Sequence, residues 1–427
     1  MASTIFAVSS GRPPAAIAVV RVSGAGARAA VTALAGTLPP PRAARLRRLR
    51  RTGDGALLDR AVVLVFDAPN TATGEDLVEL HLHGGRAVVA AVEAELAAIP
   101  GLRPAEPGEF TRRALAHGRI DLTEAEGLAD LLSAETEAQR RLAIDTSGGR
   151  LRRQVARWSA DATMLAAQVE AILDHGDEDD VDAGDAVLDG IRVQAVALAG
   201  AIDAVLAAPP VERLRDGIRV VLAGPPNAGK STLLNALVGR DAAIVSPVAG
   251  TTRDVIETPV VREGVAWLFL DTAGLRDATD DAIEAIGIDR AGAAMAGADI
   301  VLWLGDDAPP PGALALWPRA DLPGRVAPPE RIGVSAETGA GMEALWQALA
   351  DRAKALLPRV DELALNRRQA DHARTAAAAL HRAAAQHDPL LLAEELRYVL
   401  NGFAALTGQH ATEAMLDGLF GHFCIGK

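Results

Sequence analysis

One short stretch constrains this chain more than any other: Gly224-Pro-Pro-Asn-Ala-Gly-Lys-Ser231. It satisfies G-x-x-x-x-G-K-[ST] at every fixed position, and its flanks give the pattern its meaning. Arg219–Ala223 (RVVLA) suits a buried strand, and Thr232–Val238 (TLLNALV) suits a helix. Such a strand–loop–helix curls backbone N–H groups round phosphate oxygens at the positive end of a helix. Asn227, Ala228, Gly229, Lys230, Ser231 and Thr232 are therefore the expected phosphate-loop contacts. Lys230 would reach the β- and γ-phosphates, and the Ser231 hydroxyl would ligate Mg²⁺.

Three further pieces follow in order. Gly250-Thr251-Thr252-Arg-Asp254 stands where a switch segment supplies a threonine, Thr252, to Mg²⁺ and the γ-phosphate. Asp271-Thr272-Ala273-Gly274 ends the apolar run Trp267–Leu270 and resembles the D-x-x-G of GTPases, whose Asp holds the Mg²⁺ water shell. Ser335-Ala336-Glu337, after Ile332-Gly-Val, resembles the S-A-[KLR] element that touches guanine O6. Together they predict a GTPase domain with a Ras-like parallel sheet. Two departures stand out. The best match to the guanine motif N-K-x-D is Pro318-Arg319-Ala-Asp321. Asp321 can accept from the base, Arg319 stands for the Lys, and Pro318 cannot replace the Asn amide. In addition, only Gly305–Gly312 separates the strand candidates Ile300–Leu304 and Ala313–Trp317. A parallel crossover usually needs a dozen or more residues, so its helix is expected to be missing.

A chain of 427 residues should hold two or three domains. Its 43 basic and 56 acidic residues leave a net charge of −13, so any RNA contact needs a local patch or a partner. A single cysteine, Cys424, excludes an internal disulfide. With no signal peptide and no apolar run near the roughly eighteen residues of a spanning helix, a soluble cytoplasmic protein is expected.

The first segment alternates in strand style at Ile17–Val22, Ala61–Phe66 and Asp76–Leu82, with helix candidates at Ala27–Leu34 and Ala87–Ile99. That reads as an α+β domain. Arg42–Arg51 holds six arginines in ten residues and is read as a solvated strand or loop rather than an RNA contact. Glu79, His81 and His83 would share one side of a strand, but no further metal ligand is identifiable. From Asp121 the texture turns helical, with Thr123-Glu-Ala-Glu126 as a capping box. The acidic run Asp177–Asp180 lacks the Gly and Glu of a calcium loop and is read as an interhelical loop. Helical patterns resume at Ile191–Leu206, Asp371–Gln386 and Leu390–Leu406, which places the GTPase segment inside one helical bundle.

Taken together, the residues resemble one family from end to end. Val20-Arg-Val-Ser-Gly24, Thr73-Gly-Glu-Asp76, His83-Gly-Gly85, Pro107–Thr111, Leu122–Glu126 and the terminal Phe423-Cys-Ile-Gly-Lys427 are similar to the MnmE (TrmE) tRNA-modification GTPases. The resemblance implies an N-terminal folate-binding and dimerising domain (1–118) and a helical domain in two parts (119–212 and 359–427). The GTPase domain (213–358) would be inserted between them. It implies a homodimer acting with the flavoprotein MnmG (GidA) in a heterotetramer. Together they would add a carboxymethylaminomethyl or aminomethyl group to C5 of the wobble uridine, position 34, of tRNA. A tetrahydrofolate derivative, 5-formyl or 5,10-methylene, would supply the carbon. By motif match the folate contacts are Arg21, Glu79, Arg119 (Lys in most members) and Lys427. Cys424 is either a nucleophile or a small apolar residue of that pocket.

Leu275 follows D-x-x-G where Ras-type enzymes place a water-orienting Gln. The resemblance implies a K⁺ ion where an arginine finger would act, a device worth roughly 10³–10⁵ in rate. Its ligands map to Asn227, Ser246, Val248 (through its carbonyl) and Thr251. The water-positioning acid maps to Glu284, and Arg276 could lend switch-loop charge. The rival class is a ribosome-assembly GTPase of the Era or Der type. It would show a KH domain or a second GTPase domain, and the sequence has neither. A binding-only scaffold with a relic nucleotide site is the other reading, and Pro318 gives it some weight.

Overall fold

The computed structural model describes residues 3–175, 181–239, 243–244, 257–271, 292–359, 362–409, 411–421 and 423–426. The chain forms two compact units. One comprises Met1–Ala129, Thr146–Val155 and Ala404–Lys427, and the other Asp130–Asp145 with Ala156–Phe403.

The first unit is built on a six-stranded sheet in the order β3-β4-β5-β2-β1-β6. Its strands are β1 (Thr4–Val8), β2 (Ile17–Ser23), β3 (Arg45–Arg50), β4 (Leu57–Phe66), β5 (Leu77–His83) and β6 (Leu102–Pro104). The period-2 pattern sets its two faces. Ala18, Val20 and Val22 enter the main core with Val78, Leu80 and Leu82, under Val31 of α1 (Ala27–Ala35) and Val92 of α2 (Arg86–Ala98). Arg21 and Glu79, paired in register across β2 and β5, belong to the other face. The arginine run forms β3, which among the described residues is an edge strand paired with β4 alone.

After α3 (Glu109–Ala116), α4 (Leu122–Ser133) is capped differently from the sequence expectation. Asp121 Oδ1 accepts from the Glu124 N–H at 2.9 Å, and Glu124 Oε2 accepts from the Asp121 N–H at 2.8 Å. The capping box is therefore Asp121–Glu124. Thr123 lies inside the first turn and cannot serve as the cap.

In the second unit, α7 (Val181–Leu206) packs along the helix Arg367–Ala385. Ala373, Ala376, Ala377 and Ala383 are buried on the latter, and small side chains of this kind let helix axes approach closely. These helices bracket the second sheet in sequence. That sheet has the order β13-β12-β11-β7-β10-β9-β8, ending on the short strand β8 (Ala243–Ile244). Strands β7 (Ile218–Ala223), β10 (Val265–Asp271), β11 (Ile300–Trp303), β12 (Leu314–Pro318) and β13 (Ile332–Val334) run parallel, and β9 (Glu257–Arg262) is antiparallel to β10. Ile218, Val220, Leu222, Phe269, Leu302 and Leu316 form its core with α9 (Lys230–Gly239) and the helix Met342–Leu356. Residues 304–313 join the parallel pair β11 and β12 through bends and turns, with no helix.

Candidate nucleotide and folate sites

The phosphate loop leaves the C-terminal end of the central strand β7 at a topological switch point, where open α/β sheets bind ligands. Gly224 has φ +142, and a Cβ there would stand 3.1 Å from the Gly305 nitrogen. Gly229, at φ +94, opens α9. Asn227 is also left-handed at φ 60, a region Asn tolerates. Lys230 is buried, and its Nζ donates to the carbonyls of Gly224 (3.1 Å) and Pro225 (2.9 Å). Register places Asp271, the last residue of β10, beside Leu222 of β7. From there its Oδ2 accepts a 2.5 Å hydrogen bond from Ser231 Oγ. A hydroxyl and a carboxylate side by side at a phosphate loop match the oxygen ligands that Mg²⁺ takes.

Beside the phosphate loop lies a cleft of about 360 Å³, where the base is expected from the sequence. The structure brings Ala228, Gly229 and Thr232 of the loop and α9 together there with Asp321, Ser335 and Ala336. Ser335 is buried, and its Oγ accepts from the Thr338 N–H at 3.1 Å, which shapes the turn after β13. Gly341 closes that turn so tightly that a Cβ would sit 1.8 Å from the Gly333 carbonyl oxygen.

Three arginines organise the cleft: Arg319 of the N-K-x-D match, and Arg325 and Arg331, which belong to no motif. Arg319 is left-handed at φ 59, and its Nη2 donates to the Asn227 carbonyl at 2.8 Å, tying the base loop to the phosphate loop. Arg325 Nε donates to the Pro318 carbonyl at 2.7 Å while its guanidinium lies 4.4 Å from the Trp317 ring centroid. Arg331 lies 5.5 Å from the same ring and donates to the carbonyls of Gly305, Asp306 and Asp307 in the short crossover.

In the first unit, Arg21 Nε donates to Glu79 Oε1 at 2.8 Å. Arg119 is not bonded to that pair; its Cγ lies 3.3 Å from where a Gly74 Cβ would be. Cys424 is exposed, Ile425 bridges Pro107, and Gly426 lies so near β1 that a Cβ would meet the Val8 carbonyl oxygen at 2.2 Å. Val8 pairs with Val20, the neighbour of Arg21, so the chain end comes to the strand pair that carries the ionic residues. The Thr73–Asp76 motif is structural in part. Ser23 Oγ shares a 2.7 Å hydrogen bond with Thr73 Oγ1 and donates to Glu75, which also takes Arg113 at 2.9 Å. His81 bonds Glu79 at 3.2 Å and His83 bonds Asp59 at 2.7 Å. No group of three or more potential metal ligands gathers among the described residues.

Ser246, Val248, Thr251, Thr252, Thr272, Ala273, Gly274, Leu275, Arg276, Glu284 and Lys427 lie outside the described residues, as does the acidic run Asp177–Asp180.

The family model "GTP-binding protein TrmE N-terminus" matches residues 4–119, and "MnmE helical domain" matches 122–424. A tRNA modification GTPase MnmE of Rhizorhabdus wittichii is 56% identical over 99% of this chain and 96% of its own length. Those of Erythrobacter litoralis (54%, 99% of this chain and 100% of the relative) and Novosphingobium aromaticivorans (53%, 100% of both) align equally fully. This chain belongs to the MnmE family of tRNA modification GTPases. Membership accounts for the order of parts along the chain: an α+β sheet unit first, then helices that bracket a phosphate-loop sheet. Among the described residues no helix is long and apolar enough to cross a membrane.

Proposed function

We propose that this GTPase works in the cytoplasm as a homodimer with the flavoprotein MnmG. Together they would add a carboxymethylaminomethyl or aminomethyl group to C5 of the wobble uridine of tRNA. The observation that carries the reading is full-length identity of 53–56% to MnmE relatives, joined to a phosphate loop and base cleft in one sheet. Residues 1–118 would hold the tetrahydrofolate, 213–358 the GTPase, and 119–212 with 359–427 the helical domain.

In this reading Lys230 exchanges its two loop carbonyls for phosphate oxygens; Ser231 and Thr252 would ligate Mg²⁺, and Asp271 would hold its water shell. When bound, Mg²⁺ offsets phosphate charge and K⁺ adds positive charge where an arginine finger would stand. Asn227, Ser246, Val248 and Thr251 would hold the K⁺, with Arg276 beside the site. Leu275 has no polar group to orient water, which leaves that task to Glu284. Asp321 accepts from the guanine N1 and N2 groups, while Ser335 and Ala336 close on O6. Arg21, Glu79, Arg119 and Lys427 would bind the folate, with Cys424 at its edge. Nucleoside analysis of wobble uridines in a strain lacking this chain tests the proposal. Loss of the C5 aminomethyl-type modification is expected, and an unchanged nucleoside profile would overturn it.

A further inference from the structure

We propose that the outer strand pair β3–β4 is a docking surface for the phosphate backbone of RNA, centred on Arg48 and Arg60. This rests on the tRNA reading above. The register sets Arg48 directly opposite Arg60 on neighbouring antiparallel strands. Like charges in that position destabilise a sheet. Both side chains are exposed, and neither makes a hydrogen bond or ion pair among the described residues. Their neighbours add to the charge. Arg45 bonds only the Ala44 carbonyl, Arg47 those of Thr37 and Leu46, and Arg50 that of Gly55. Main-chain carbonyls satisfy donors and leave the positive charge standing. Arg51, in contrast, is paired with Asp54 and Glu95, and the one acid opposite β3, Asp59, is buried and engaged by His83. Five uncompensated guanidinium groups thus line the outer strand pair of a chain whose net charge is −13, with Arg48 and Arg60 together on one face and Arg45 and Arg47 on the other.

A polyanion relieves this repulsion, and arginine matches phosphate geometry with paired donors. The strand's rise spaces alternate side chains by ~7 Å, a step suited to successive backbone phosphates. A second copy of this chain fits less well. Two-fold pairing of β3 with itself would set one arginine row against another.

The test uses the full-length chain and a fluorescently labelled, unmodified tRNA transcript, with anisotropy titrations across a KCl series. Replacing both residues (Arg48→Gln with Arg60→Gln) should weaken binding at least ~10-fold at low salt. It should also flatten the slope of log K against log salt by about two, one per lost phosphate contact. The same variant should keep its GTP turnover, and its melting temperature should hold or rise because the opposed charges are gone. Wild-type affinity and slope in the variant would overturn the surface, as would a wild-type chain that binds no tRNA. A changed oligomeric state with unchanged tRNA binding would assign the patch to a contact between copies instead. Either failure, alongside lost wobble modification in the deletion strain, would leave the functional reading intact.

Discussion

Replacing Arg325 with Ala should damage GTP binding although Arg325 does not line the base cleft. Its Nε donates to the Pro318 carbonyl at 2.7 Å, and its guanidinium lies over the Trp317 ring, 4.4 Å from the centroid. A hydrogen bond from a charged donor contributes about 1.5–3 kcal/mol. The half-exposed cation–π contact adds ~0.5–1 kcal/mol. The ion pair with Asp306 is discounted to near zero, because Asp306 is 60% exposed. Arg331 remains on the same ring and recovers part of the loss. A net cost of about 2 kcal/mol results.

Where that cost falls decides the phenotype. Pro318 opens the turn that carries Asp321, so disorder there lowers the fraction of molecules able to bind, and apparent affinity falls with that fraction. If the whole cost falls on loop order, GTP affinity drops by up to ~30-fold. Calorimetric titration with GTP, beside a thermal melt, should find a 5–30-fold weaker complex and only a small loss of melting temperature. Arg325→Lys should rescue little, since an ammonium has neither the planar face nor the Nε donor. Unchanged GTP affinity with a lowered melting temperature would refute the reasoning and reduce Arg325 to a packing residue.

GTP turnover should be faster in KCl than in NaCl at matched ionic strength, and Asn227→Ala should erase the difference while nucleotide binding persists; equal wild-type rates in the two salts would defeat the K⁺ assignment. Acid sensitivity should reside partly in Glu109. Burial pushes its carboxyl up, but hydrogen bonds from Arg103, the Glu106 N–H and Arg113 outweigh that and hold it below the usual glutamate range. A lowered native pKa stabilises above the unfolded value and is lost as pH falls through the native one. Glu109→Gln should therefore cost about 2 kcal/mol at pH 7. In urea melts that gap should close below pH 4.5, and a gap constant with pH would show the ionic bonds to be irrelevant.

The parts legible in the sequence are those set by local chemistry. A β-branched run, a glycine turn and a lysine fix the phosphate loop within a few residues, whereas the pairing of Arg21 with Glu79 depends on the register between two strands. The capping box was misplaced because Asp121 and Thr123 are both good caps, and only the packed helix start chooses between them. The tethers made by Arg319, Arg325 and Arg331 carry no sequence signal for another reason: they end on carbonyl oxygens, which every residue has. The two departures from the usual GTPase pattern, Pro318 for Asn and the crossover without a helix, then become one structural change. Arg319 ties the base loop to the phosphate loop across to Asn227. Arg331 stitches residues 305–307 to the strand end, where a helix would otherwise brace the sheet. Gly224 packs on the Gly305 nitrogen, so the crossover that Arg331 holds is also the floor of the phosphate loop. Restoring Asn at position 318 should therefore tighten GTP binding only several-fold, because the tether that an Asn would offer is already made by Arg319.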